Sequence, residues 1–246
     1  NFIEGLPYLI AKSKTIFLVG SSHAAHFMES QFLFFKNFDV NIASITVEGC
    51  SFFERKNVFF KSSRFKCGGD NPIQEKINNF FSQQVKKGDI FIISSRFFEK
   101  KFNNRSWIEE SYQLDSLLLF NKKMKKKGVE LVLIKPSPVF KRLPSSNWIW
   151  CNKKNYLSIN QNNKDCYFDY SVMYEKKKNI YKIFSQLAKD IYVFDPIPIV
   201  CNNQKCAVFD ENNKPLYADQ THFSDYANRK YLYPALRDFL IKNKLL

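Results

Sequence analysis

Asp219 and His222 stand three residues apart in YADQTHFSD (217–225), and Ser22 lies far upstream in GSSHA (20–24). A serine hydroxyl is a poor nucleophile until a base within about 2.6–3.2 Å removes its proton. The chain contains three histidines, His23, His26 and His222, so a histidine base has few candidates. His222 can serve, because a carboxylate on the same short loop can fix one imidazole tautomer and stabilise the imidazolium formed during reaction. Each residue also has a plainer reading. Ser21 or Ser22 can cap a helix, Asp219 can cap the last helix, and His222 can be a loop residue bonded to backbone. Their combination favours catalysis, with Ser22 as nucleophile, His222 as base and Asp219 as its orienter. His23 and His26 fall i,i+3 with no carboxylate or cysteine ligand nearby in sequence, so no metal site is expected. His23 is expected to pack beside the nucleophile turn.

These side chains need elements to carry them. KTIFLVG (14–20) reads as a strand ending in glycine, and SSHAAHFMESQFLFF (21–35) as a helix whose Ala24, Phe27, Met28, Phe32 and Phe35 recur at helical spacing. Further strands are expected at 39–45, 89–95, 129–138 and 191–196, with helices at 73–85, 112–128 and 173–190. An irregular, cysteine-bearing insertion is expected at about 139–170, and the C-terminal stretch reads as a helix kinked near Pro234. Alternating strands and helices of this length imply right-handed crossovers. The expected fold is therefore a three-layer α/β sandwich with a mainly parallel central sheet. Functional groups of such sheets gather at the carboxyl ends of the strands. Residues 20–23, 46–51, 94–98 and the loop before the last helix would share that edge.

With 246 residues, 45% of them hydrophobic, the chain can build one sizeable core, and one domain is expected. No apolar run approaches the roughly 18–20 residues needed to cross a bilayer. The start, NFIEGLPYLIAKSK, lacks both a methionine and the layout of a secretory signal, which suggests a piece of a longer protein. A net charge of +15 suits an anionic glycan, surface or nucleic acid. Runs such as NKKMKKKG (121–128) read first as the solvated face and C-terminal turn of a helix, where cations suit the dipole. No nucleic-acid motif accompanies the charge, and no nucleic-acid partner is expected.

Cys50, Cys67, Cys151, Cys166, Cys201 and Cys206 fall as three local couples. Six thiols allow about 15 pairings, so sequence leaves the connectivity open; nearest-neighbour pairing is the favoured scheme. The spacings lack paired CxxC or nearby histidine ligands, and an even count in loop-like segments suits an oxidising compartment.

FLVGSSHA and the terminal YADQTHFS together resemble the first and last blocks of the SGNH (GDSL-type) hydrolase superfamily, most of all the SGNH domains fused behind acyltransferase-3 membrane domains. The typical blocks there are Gly-Asp-Ser-His-Ala and Tyr-x-Asp-x-x-His-Leu-Ser. VEGCSFF resembles the second block and DIFIISSRFF the third, so the likeness spans nearly the whole chain. CNNQKCAVFDENNKPLYADQTHFS is its most specific piece, a close cysteine pair followed by a turn and Tyr-x-Asp-x-x-His.

The resemblance implies a flavodoxin-like sheet and an oxyanion hole built in part from Gly49 and the Ser22 amide. Two departures stand out: Ser21 replaces the usual acidic residue, and ISSR lacks the oxyanion asparagine, for which Arg96 could substitute as donor or else form a structural salt bridge. The activity implied is O-acetyl transfer through an acyl-serine to a cell-envelope polysaccharide. This domain would be periplasmic, tethered to the inner membrane and monomeric as a fragment. It would bind no cofactor, the acetyl group arriving from the membrane acyltransferase-3 domain. An O-acetyl esterase with the same triad and a non-catalytic glycan-binding module are the alternatives.

Overall fold

Residues 14–46, 60–61, 66–67, 73–95, 110–138, 167–202, 205–212, 214–219 and 221–246 are described by the computed structural model. At its centre, alternate residues of each strand point to opposite faces and both faces are buried. Ile16 and Leu18 of β1 (Lys14–Gly20) face one layer, whereas Phe17 and Val19 face the other. Near-continuous apolar runs of this kind are what a parallel sheet covered on both sides demands. The remaining strands are β2 (Val40–Thr46), β5 (Ile90–Ser94), β6 (Glu130–Ile134) and β8 (Tyr192–Phe194). They form one sheet in the order β2-β1-β5-β6-β8, every neighbouring pair parallel.

The expected α/β architecture is therefore the one observed, and its five core strands coincide with those read from sequence to within a few residues. One face is covered by α1 (Ser22–Ala25), α2 (Met28–Asn37) and the C-terminal α8 (Tyr233–Lys242), through Ala24, Phe34, Leu236 and Leu240. The other is covered by α3 (Ile73–Gln84), α4 (Glu110–Lys126) and α5 (Tyr170–Leu187), through Phe81, Leu117, Met124 and Phe184. From β1 the chain moves outward to β2, then returns past β1 to β5 and continues the other way. The carboxyl end of β1 is thus the point where the strand order reverses, the position at which sheets of this type open a crevice.

Three local features depart from the expectation. The helix expected over 21–35 is broken at His26–Phe27, and the break rotates the buried face. Phe27, Ser30, Gln31 and Phe34 point inward, while Met28 and Phe32 are exposed. The C-terminal helix is interrupted near Pro234, as expected, but by a change of helix type and not a simple kink: α7 (Asp225–Ala227) passes into a π turn (Asn228–Leu232) and then α8. A proline has no N–H to give and crowds the preceding turn. The wider turn places Pro234 at the start of a fresh helix, and the Tyr233 amide donates to the Asn228 carbonyl.

The third departure is a small antiparallel sheet, β7 (Tyr167–Asp169), β10 (Lys205–Ala207) and β9 (Cys201–Asn202), after the short α6 (Ile197–Val200). A Cys201–Cys206 disulfide joins directly opposed residues of β9 and β10, matching one expected couple. Cys67 lies in β4 (Lys66–Cys67), paired with β3 (Phe60–Lys61), whereas Cys50, Cys151 and Cys166 fall outside the described residues. Most of the expected insertion, residues 139–166, also lies outside them. The basic run of 121–128 ends α4 and leads into β6, so it sits at the amino edge of the sheet, away from the crevice.

Candidate active site

The turn that carries Ser22 begins with Gly20. Its φ is +153°, and a Cβ built there would lie 1.9 Å from the Ser94 carbonyl oxygen, so only glycine lets β1 approach β5 this closely. The next amide, that of Ser21, donates to the same carbonyl at 3.3 Å. The Ser94 hydroxyl donates to the His23 carbonyl at 3.1 Å, fastening the first helical turn to the adjacent strand. Ser21 is the N-cap of α1, accepting the His23 amide with its side chain. The capping role thus falls to Ser21, and the half-buried Ser22 hydroxyl is left to point elsewhere.

It points at His222. Ser22 Oγ lies 2.9 Å from His222 Nε2, and His222 Nδ1 lies 2.5 Å from Asp219 Oδ2. With a carboxylate at Nδ1, the proton resides there and the Nε2 lone pair faces the serine hydroxyl. Asp219 is shaped for this by its own loop: its Oδ1 accepts the amides of Thr221 at 2.7 Å and His222 at 2.9 Å. Partial burial opposes its ionisation, but the Thr221 amide and the His222 side chain and amide outweigh burial and hold the carboxyl below its ordinary range. The alternative role for Asp219, capping the last helix, belongs instead to Ser224, whose side chain accepts the Ala227 amide.

The loop is anchored on three sides. Its ends close on each other through the Tyr217–Phe223 bridge, where the Ala218 amide donates to the His222 carbonyl at 2.8 Å. The Ser137 hydroxyl, just past β6, donates to the Thr221 carbonyl. Asp210 Oδ2 accepts the Tyr226 hydroxyl, the Lys230 ammonium and the Tyr231 hydroxyl at 2.5, 2.9 and 3.1 Å, tying the preceding segment to the last helical stretch. Burial alone would raise the Asp210 carboxyl; the Tyr226 hydroxyl, the Lys214 amide and Lys230 reverse that and hold it far below the usual range. Buried Tyr217, the tyrosine of YADQTH, has its hydroxyl pushed up by burial.

Sequence reasoning missed Asn228, which is fully buried in the π turn. Its Nδ2 donates to the His26 carbonyl and its Oδ1 accepts the Ser30 hydroxyl. This takes the carbonyl at which the α1–α2 helix breaks. Gly49 and Arg96, the expected oxyanion contributors, lie outside the described residues.

The structure adds a third imidazole to the His23–His26 pair, since ring nitrogens of His23, His26 and His222 all come within 4.8 Å of one another. The grouping was invisible to local spacing because His222 comes from the opposite end of the chain. Two of the three rings already have other partners. Both His222 nitrogens are engaged by Ser22 and Asp219, and His26 Nδ1 accepts the Phe223 amide at 3.3 Å, which leaves a proton on its other nitrogen.

A family model described as "SGNH domain (fused to AT3 domains)" matches residues 5–233, where AT3 denotes acyltransferase-3. The chain therefore belongs to the SGNH family of acyl-transfer and hydrolytic enzymes, in its branch fused to acyltransferase-3 domains. Among solved structures, it is similar to the periplasmic domain of a lipopolysaccharide acetyltransferase from Salmonella ser. Paratyphi A, with a TM-score of 0.63 and 17% identity over 94% of this chain and 84% of that one. A GDSL-like lipase from Bacteroides thetaiotaomicron aligns at a TM-score of 0.49 and 12% identity, over 94% of this chain and 88% of the lipase. No curated protein matches by sequence. Among the described residues, no helix is long and apolar enough to cross a membrane.

Proposed function

We propose that this chain is a serine-dependent O-acetyltransferase domain that moves an acetyl group to a hydroxyl of a cell-envelope polysaccharide. The observation that carries this is the continuous hydrogen-bonded line from Ser22 through His222 to Asp219 at the crevice of the sheet. His222 Nε2 takes the Ser22 proton as Oγ attacks the acetyl carbonyl. The tetrahedral oxyanion collapses, the leaving group departs with the proton from His222, and acetyl-Ser22 remains. An acceptor hydroxyl then gives its proton to His222 and attacks the acetyl carbon, restoring free Ser22. The Ser22 amide, with Gly49 and Arg96, is the proposed oxyanion donor set. Loss of one such donor typically costs on the order of 10²- to 10³-fold in turnover.

The family's fusion to acyltransferase-3 domains supports an acyltransferase-3 partner domain on the same chain; in this proposal the chain is the C-terminal part of that longer membrane protein, the acetyl donor comes through the partner domain, and no cofactor is held here. The Salmonella relative supports a periplasmic site and a glycan acceptor. A disulfide within the β9–β10 hairpin fits an oxidising compartment. The exposure of the His222 and Asp219 side chains, 26% and 54%, favours a second reading in which water takes the acetyl group and the enzyme is an esterase.

The test is hydrolysis of p-nitrophenyl acetate, followed by partition of the acetyl group between glycan acceptors and water. Ser22→Ala should abolish both reactions while leaving the fold intact. Wild-type rates in that variant would refute the serine mechanism, and release of free acetate without any acetylated glycan would select the esterase.

A further inference from the structure

The acid–base line uses one of the three clustered imidazoles. His26 has no place in it, yet its ring meets that of His222 nearly edge-on, with centroids 4.3 Å apart and planes at 80°. His26 sits in the turn between α1 and α2 and is buried. Its ring is held from one side by the Phe223 amide, which donates to Nδ1 at 3.3 Å, and its carbonyl is held from the other by Asn228. Phe223 is the residue directly after the base. The turn that carries the nucleophile therefore grips the backbone that carries the imidazole, independently of the Ser22–His222 bond.

We infer that His26 is a positioning residue, whose Nδ1 lone pair fixes the backbone next to His222 and whose uncharged ring forms the wall against which the catalytic imidazole rests. Two geometric facts require the uncharged form. A proton at Nδ1 would set donor against donor at the Phe223 amide, and a cation at this distance would oppose the imidazolium that His222 becomes when Ser22 reacts. Among the described residues, the titratable groups clustered about this ring are His23 on the same turn and His222 and Asp219 on the last loop. Burial first, and then the charge of His222, hold the His26 ring down to about 3, against a smaller opposing pull from Asp219.

The inference rests on the serine mechanism proposed above, and its test separates the two. The oxygen of an asparagine side chain stands where Nδ1 of a histidine stands, so His26→Asn keeps the acceptor. His26→Gln and His26→Leu do not. With p-nitrophenyl acetate, the Gln and Leu variants should lose about 10- to 100-fold in kcat with KM within about threefold, the usual scale for a misplaced catalytic group. The Asn variant should stay within about threefold of wild type in both. Labelling of Ser22 by a fluorophosphonate should slow in parallel. If the Leu variant fails to fold, the contrast between Asn and Gln decides alone. Equal rates in those two variants, whether both high or both low, overturn the inference. Activity surviving in Ser22→Ala would instead overturn the serine mechanism itself.

Discussion

His222 Nε2 lies 2.9 Å from Ser22 Oγ across 200 residues of chain, and Asp219 holds the other face of the same imidazole at 2.5 Å. The direction of both bonds depends on the carboxylate, which can only accept. Asp219→Asn replaces one acceptor oxygen with an N–H donor and permits the reversed tautomer, in which Nε2 carries the proton and cannot take that of Ser22. We expect kcat for p-nitrophenyl acetate to fall roughly 10²- to 10⁴-fold with little change in KM. An intact unfolding transition would show that the loss is chemical.

Acidification should destabilise the fold through His26. In the unfolded chain an imidazole takes up its proton near pH 6.5, whereas burial delays this to about 3 in the folded protein. Between those values the unfolded state binds more protons, so stability falls as pH falls, by at most about 1.4 kcal/mol per pH unit. His26→Asn removes the group, and its stability curve should be flatter. The wild type should lose about 1 kcal/mol more than this variant between about pH 7 and 5.5. Denaturant titrations at both pH values measure the difference, and parallel curves would show that His26 already titrates normally when folded.

The five core strands were readable because each is a short apolar run bounded by a turn signal, as in KTIFLVG before its glycine. The last block was readable because Asp219 and His222 lie within one loop and their chemistry is local. What escaped depended on partners distant in sequence. The helix after Ser22 has a plausible apolar stripe through Met28 and Phe32, but Asn228 claims the His26 carbonyl and turns that stripe outward. Asn228 itself gives no periodic signal, being one polar residue in an otherwise helical pattern. The proline at 234 did announce an interruption, but not its form as a π turn, in which Asn228 reaches the His26 carbonyl.

That reach makes Asn228 the position where stability and site geometry meet. Asn228→Leu keeps the branched skeleton, with methyls bulkier than the amide, but leaves the His26 carbonyl and the Ser30 hydroxyl buried without their partner, at about 1–3 kcal/mol for each unsatisfied group. We expect a loss of about 2–4 kcal/mol in urea unfolding, with an unchanged m value, because the fold and the area it exposes on unfolding are the same. Ser30→Ala should cost about 1 kcal/mol in the wild type and less in the Asn228→Leu background, since its bonding partner is already gone. Strict additivity of the two substitutions would mean that the Ser30–Asn228 bond contributes nothing. If Asn228→Leu lowers kcat while the protein remains folded, the π turn is part of what registers the Ser22 turn against His222. Unchanged kcat would restrict the residue to stability.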